Sequence, residues 1–277
     1  MRSKTAAPSR LTRPTAIRRG LWASIGAVVA VGFVCVTAAP ALATTYSITD
    51  LGNLGYPTAR GAGINEGGQV AGTSYLAQRV EYNVGCPPRH RPCFVHPEHP
   101  FLWSEGKITD LGTLGGGLFA EGTAINNLGE VAGFSNLKNG ERHAFVFHNG
   151  KLTDLGATGR ESRAFAINDS GVVAGSASIP GEGHTDAVIW SNGKVTDLGL
   201  EIYPNAISNN GVIVGQGGCG NAVILSGGIC SNLQNLIPAN SGYELQKAVG
   251  VNNKGQVLVE AHTTTTFQNH ALVLNPN

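Results

Sequence analysis

From residue 46 onward the chain alternates short apolar runs with breaks rich in glycine and asparagine, and nowhere does it sustain helical spacing. The runs recur in a fixed order. Ile48-Thr49-Asp50-Leu51-Gly52 returns as Ile108–Gly112, Leu152–Gly156 and Val195–Gly199, and in degenerate form as Cys230-Ser231-Asn232-Leu233. Next comes a small, a β-branched and a polar residue: Gly63-Ile64-Asn65, Ala124-Ile125-Asn126, Ala166-Ile167-Asn168, Ala206-Ile207-Ser208 and Gly250-Val251-Asn252. A glycine follows each at a fixed distance, as Gly68, Gly129, Gly171, Gly211 and Gly255. An apolar run such as Val131-Ala132-Gly133 comes next. The unit closes on Pro100–Trp103, Ala144–Phe147, Ala187–Trp190, Ala222–Leu225 or Ala271–Leu274.

Positions 126, 168, 208 and 252 are 42, 40 and 44 residues apart, and the interval from 65 to 126 is 61 because it holds an insertion at about residues 75–97. Four short strands fit such a period, which suits propeller blades better than solenoid coils. We name the strands a (Ala-Ile-Asn), b, c (Phe-Leu-Trp) and d (Thr-Asp-Leu-Gly). The Asn side chain suits the a-to-b turn and the glycine supplies its positive φ, while Asn149-Gly150 and Asn192-Gly193 are two-residue hairpin signals between c and d. The small residue of strand a suits a crowded inner strand, where small side chains on one sheet meet large ones on the next. The outward Thr-Asp of strand d suits a solvated edge.

The phase of the repeat completes the expected fold. The chain begins with a lone d strand, Tyr46–Leu51, and ends after a c strand, Ala271–Leu274. The prediction is an all-β, five-bladed β-propeller of four-stranded blades, the last blade completed by the N-terminal strand.

Residues 1–43 read as an export signal rather than structure. Arg2, Lys4, Arg10, Arg13, Arg18 and Arg19 precede the apolar Leu21–Val36, and Ala41-Leu42-Ala43 supplies a cleavage site. The apolar run is short for a membrane anchor, Val34 before Cys35 disfavours lipidation, and Trp22-Ala23 fits the twin-arginine pattern poorly. Residues 44–277 are then the mature, secreted, extracellular domain. Of the 19 Lys and Arg, 13 remain against all 18 Asp and Glu, so the full chain's formal charge of +1 becomes mildly acidic. Nucleic acid and anionic lipid are thereby disfavoured as partners.

Thr-Asp-Leu-Gly, Ala-Ile-Asn-x-x-Gly and His143-Ala144-Phe145, in that order, resemble the extracellular HAF-repeat family over residues 46–277. The resemblance implies an exported repeat protein and brings no biochemical activity with it. Later copies carry Asp186 and Asn221 at the His position. His99, His143 and His270 therefore read as structural groups capping the loop into strand c.

In a four-stranded meander the a-to-b and c-to-d turns share one face, and the variable b-to-c and d-to-a loops share the other. Function on repeat scaffolds concentrates on the variable face. Candidate ligand-binding residues there are Tyr56, Phe119, Tyr203 and Tyr243, with Tyr75 and Tyr82 in the insertion; packing roles compete for several of them. The insertion holds Cys86-Pro-Pro-Arg-His-Arg-Pro-Cys93, followed by His96 and His99. Tetrahedral coordination by these four residues competes with a Cys86–Cys93 disulfide, and an oxidising compartment favours the disulfide. Arg89, His90 and Arg91 would then form a positive loop tip. Cys219 and Cys230 look like a second pair, but Cys230 should face Leu225, and a straight strand puts Cys219 about 17 Å away, beyond disulfide reach.

Glycoside hydrolysis needs two carboxylates across a mouth. Glu98, Glu121, Glu141, Glu161, Asp186, Glu201 and Glu244 lie in loops, none at a constrained strand position, and no nucleophile or phosphate motif occurs. The sequence therefore points to a monomeric, secreted scaffold without cofactor or metal that binds a glycan or protein ligand. A hydrolase and a purely structural envelope protein are the alternatives. Intact-mass analysis of culture supernatant should find a mature chain beginning at Thr44; a membrane-bound species retaining residues 1–43 would contradict that expectation.

Overall fold

The computed structural model describes residues 47–82, 87 and 92–276, so the export-signal reading of residues 1–43 lies outside the described residues. Strand β1 (Gly55–Ile64), β2 (Val70–Leu76), the short ribbon β3 (Val80–Glu81) and β4 (Phe94–Val95), β5 (Glu98–Ser104) and β6 (Lys107–Asp110) make up the first repeat. The second holds β7 (Ala120–Ile125), β8 (Val131–Asn136), β9 (Arg142–His148) and β10 (Lys151–Gly156). The third holds β11 (Ser162–Ile167), β12 (Val173–Ser178), β13 (Thr185–Ser191) and β14 (Lys194–Asp197). The fourth holds β15 (Ile202–Ile207), β16 (Ile213–Gly217), β17 (Gly220–Ser226) and β18 (Ile229–Asn232), and the last β19 (Tyr243–Val251), β20 (Val257–Thr263) and β21 (Asn269–Leu274). The result is four four-stranded antiparallel meanders, a three-stranded sheet and the β3–β4 ribbon. No helix among the described residues is long and apolar enough to cross a membrane.

One turn is built the same way in all five repeats. The Asn126 amide donates to the Glu130 carbonyl, the Gly129 amide donates to the Asn126 carbonyl, and the same pair of bonds closes at Asn65, Asn168, Ser208 and Asn252. Gly68, Gly129, Gly171, Gly211 and Gly255 all take positive φ, as the turn requires. Asn149-Gly150 and Asn192-Gly193 likewise take positive φ at both positions.

The asparagine reaches beyond its own turn. Asn126 Nδ2 donates to the Asn168 carbonyl of the next repeat at 2.9 Å, while its Oδ1 accepts from the Leu128 and Glu130 amides. Asn65 reaches Asn126 O, and Asn168 reaches Ser208 O, in the same way. The following residue adds a second link. The amides of Glu66, Asn127, Asp169 and Asn209 donate to the side-chain oxygens of Asn127, Asp169, Asn209 and Asn253. Where Ser208 cannot reach across, Asn205 and Asn210 supply the amide donors to Ala248 O and Asn253 O.

Packing follows the small-against-large rule expected from the sequence. Ala132 and Ala144 meet Ile167, Val173 and Trp190; Ala166, Ala174 and Ala187 meet Ile202, Ile213 and Leu225. Val214 and Ala222 meet Leu245, Val257 and Val259. Each inner strand carries a register shift, as between Gly122 and Ala124 in β7 and between Ala164 and Ala166 in β11. The bulge pushes its carbonyl at strand b. A Cβ on Gly133 would lie 2.0 Å from Glu121 O and 2.6 Å from Phe145 Cζ, and one on Gly175 2.0 Å from Arg163 O. The glycine of Val-Ala-Gly is thus dictated by its neighbours.

Two expectations are corrected. The repeated Asp of strand d is more than a solvated edge: Asp110 and Asp154 accept from Nδ1 of His99 and His143, and Asp50, Asp110, Asp154 and Asp197 each accept from the glycine amide two residues on. The two histidines thus pair strand c to strand d rather than capping a loop. Cys219 and Cys230 form a disulfide with Cα atoms 6.2 Å apart. Cys230 does face Leu225, but β17 is not entered straight. Its ladder with β16 shifts register between Gly215 and Gly217, Gly217 and Gly218 take positive φ, and Gly220 presses on the Asn232 side chain. Such a bond belongs to proteins matured outside the reducing cytosol. Among the described residues the last sheet has three strands, and residues 47–53 carry none.

Asn126→Ala strips a buried carbonyl and two turn amides of their partners and should cost about 1–3 kcal/mol, read as a lowered urea midpoint. Gly133→Ala should cost at least as much, because its methyl meets backbone. A wild-type midpoint for Gly133→Ala would contradict the bulge explanation.

Candidate ligand-binding face

The inner strands present one column of side chains to the loop face. Arg60, Glu121, Arg163, Tyr203 and Lys247 each stand five residues before the turn Asn or Ser. The bulge fixes their register, since each pairs with strand b immediately before the shift region, as Glu121 with Phe134 and Arg163 with Ser176. A cavity of 380 Å³ is bordered by Arg60, Thr73, Glu121, Thr123, Phe165 and Asn205, and a smaller one of 150 Å³ by Glu161, Arg163, Phe165, Thr185 and Tyr203.

Charges alternate around these cavities. Glu98, at the start of β5, is nearly buried and accepts a hydrogen bond from Arg60. Burial, and then the charge of Glu121, push the Glu98 carboxyl above its usual range, and the Arg60 guanidinium only partly offsets them. The guanidinium groups of Arg142 and Arg163 both approach the Phe134 ring, at 5.4 and 5.5 Å from its centre. Arg142 also donates to Asn136 Oδ1 at 3.0 Å, and Glu161 stands 3.7 Å from Arg163. Burial and the neighbouring Arg163 charge lower the Arg142 pKa, with Glu161 and Glu121 acting against them. Paired charges of both signs beside aromatic faces suit a ligand dense in hydroxyl and amide groups better than a polyanion.

The aromatic residues singled out from sequence form separate clusters. Tyr203 is half exposed and lines the smaller cavity. Tyr82 and Phe119 meet edge to face at 5.4 Å, Tyr56 packs on Tyr75 at 6.1 Å and on His96 at 4.1 Å, and Tyr243 packs on His270 at 5.5 Å. Those contacts give Tyr56, Tyr75, Tyr82, Phe119 and Tyr243 packing roles. Arg89, His90, Arg91 and Cys86 lie outside the described residues, and Cys93 is disulfide-bonded. His96 donates to Leu76 O and His99 is held by Asp110, so neither is arranged for the tetrahedral site considered with Cys86 and Cys93. Glu98, Glu121, Asp186 and Glu244 prove to lie in strands rather than loops. The sequence reading did not single out Arg60, Phe134, Arg142, Arg163 and Phe165; of these, Arg60 and Arg163 had a signal, the column at fixed distance from the turn.

No family model and no curated protein matches the chain. Among solved structures it is similar to a putative TolB from Agrobacterium tumefaciens, at 12% identity and a TM-score of 0.43, covering 64% of this chain and 73% of that one. It is also similar to TolB from Acinetobacter baumannii, at 14% identity and a TM-score of 0.38, covering 72% of this chain and 52% of that one. Likeness at this level establishes neither family membership nor a shared activity.

Because its carboxyl pKa is raised, Glu98 holds its proton more tightly in the folded than in the unfolded chain. Its contribution to stability is present in acid and is lost as pH rises through the raised folded value. Glu98→Gln should flatten that part of the decline in melting temperature between mild acid and neutrality; an unchanged decline would place its origin elsewhere.

Proposed function

We propose that this chain is an exported HAF-repeat-type protein, a five-bladed propeller whose loop face binds an extracellular or cell-envelope glycan or protein. The observation that carries the binding reading is the convergence of Arg60, Glu121, Arg163 and Tyr203, from successive repeats, on cavities flanked by Phe134 and Phe165. The mildly acidic mature chain and the mixed charges of this face argue against nucleic acid. The Cys219–Cys230 disulfide supports export.

Several features support the closed ring. The turns of all five repeats border one 300 Å³ cavity that Ile64, Ile125, Ile167, Ile207 and Val251 line together. The segment before β1 is folded like the d-to-a connections: Gly52 N donates to Asp50, and Leu54 N to Ser74 Oγ, as Gly112 N does to Asp110 and Leu114 N to Ser135 Oγ. His270 occupies the position of His99 and His143, whose Nδ1 atoms hold Asp110 and Asp154. Asp50 is the matching partner. Closure sets Thr49–Leu51 on β21 in the register of β6 on β5 and covers Leu258 and Val273, which are otherwise exposed.

The pairing of raised Glu98 with the charge of Glu121 favours a second reading, glycoside hydrolysis by two carboxylates. A glycan array and isolated cell-wall material probe both readings with the mature protein. Binding weakened by Arg163→Ala and Tyr203→Ala, without release of reducing sugar, is the expected result. Release abolished by Glu98→Gln would favour the hydrolase, and binding indifferent to both alanine variants would overturn the site. For closure, Thr49→Cys with Val273→Cys should crosslink within the chain, and deletion of residues 44–52 should lower the melting temperature sharply. A thermally silent deletion would leave an open array.

A further inference from the structure

Repeats one and two place a histidine at the entry of strand c against the aspartate of strand d: His99 against Asp110 and His143 against Asp154. In the third repeat the aspartate remains, as Asp197, but the histidine position holds Asp186. Two carboxylates now share a place built for a hydrogen-bonded pair. Asp186 is 4% exposed and its carboxylate accepts no hydrogen bond among the described residues. A buried carboxylate without a hydrogen bond is costly unless a cation answers it.

Two neighbours from the preceding loop point at the same spot. His184 Nε2 stands 3.6 Å from Asp186 Oδ1 and 2.9 Å from Glu182 Oε2, and the three ligand atoms all lie within 4.8 Å of one another. His184 Nδ1 is 3.1 Å from the Glu182 carbonyl, an acceptor only, so Nδ1 carries the proton. With Nδ1 anchored there, His184 turns its Nε2 toward two carboxylates. That is the orientation of a metal-ligating histidine whose other nitrogen is anchored to a backbone carbonyl.

We propose that Glu182, His184 and Asp186 form a binding site for a first-row divalent cation of the zinc class. Ligand bonds of about 2.0–2.2 Å around a tetrahedral ion put the ligand atoms about 3.3 Å apart; the two observed separations bracket that spacing. One imidazole and two carboxylates balance a divalent charge, and the nitrogen ligand favours zinc-class ions over calcium or magnesium, which take oxygen. Binding releases the Nε2 proton where His184 is protonated. The site lies beside Thr185, which lines the smaller cavity of the loop face, but it stands independently of what that face binds.

The test uses mature protein without a polyhistidine tag, stripped with a chelator and titrated with Co²⁺ and then Zn²⁺. The expected result is one Co²⁺ per chain with the visible bands of a low-coordinate site, displaced by Zn²⁺. Glu182→Gln and His184→Ala, both in the loop, should keep the wild-type melting temperature of the stripped protein and weaken binding about ten-fold or more. Asp186→Asn should lose the cobalt bands, and His99→Gln should leave them intact. Absence of Co²⁺ and Zn²⁺ uptake would mean that the three groups make only an imidazolium ion pair. Uptake unchanged in His184→Ala would place the ion elsewhere. Either result overturns the site.

Discussion

In Asn65, Asn126 and Asn168 one side-chain amide serves two structures at once. Its oxygen closes the hairpin of its own repeat, and its NH₂ donates to the main-chain carbonyl of the next. Neither bond could be lost cheaply, because both sit where water is largely excluded. A hairpin of this size is marginal alone. By tying the geometry of one turn to the position of the next sheet, the amide makes local and global order depend on each other. The second chain of links, from the amides of Glu66, Asn127, Asp169 and Asn209 to side-chain oxygens one repeat on, repeats the same logic at the surface.

The loop face inherits its order from that constraint. With the turn fixed, the bulge of each inner strand falls at a fixed distance from it, and the residue five positions before the turn always reaches the same height. Evolution can then vary that residue freely, as Arg60, Glu121, Arg163, Tyr203 and Lys247, without disturbing the frame. The frame itself is intolerant: Gly72, Gly133, Gly175 and Gly215 have backbone oxygen where a side chain would stand. The Asp186 substitution shows the same freedom outside the inner strand, since a single residue change turns a structural His–Asp contact into a carboxylate cluster beside the face.

Most of the architecture was legible in the sequence because it rests on local, repeated chemistry: turn asparagines, positive-φ glycines, and small residues opposite large ones. The role of Asn between repeats was hidden, since a turn residue gives no sign of a partner some forty positions away. The Cys219–Cys230 bond was misread because counting strand rise assumes a straight strand, and Gly217 and Gly218 bend this one. Tyr56, Tyr75 and Tyr243 stack on neighbours, and strand residues that the sequence reading did not single out, such as Arg163 and Phe134, line or flank the cavities.

The linkage between repeats can be read at single amides by hydrogen exchange with residue resolution. The Asn127, Asp169 and Asn209 amides lie in exposed turns and have no main-chain partner; each is held by a side chain of the following repeat. If the repeats are coupled as described, these amides exchange far more slowly than the amides of Ile108 and Val195, which point away from the ladder at the outer strands, and slow protection at Asn127 is lost in Asp169→Ala. Exchange at the rate of an open surface turn, or protection at Asn127 that survives Asp169→Ala, would contradict the account.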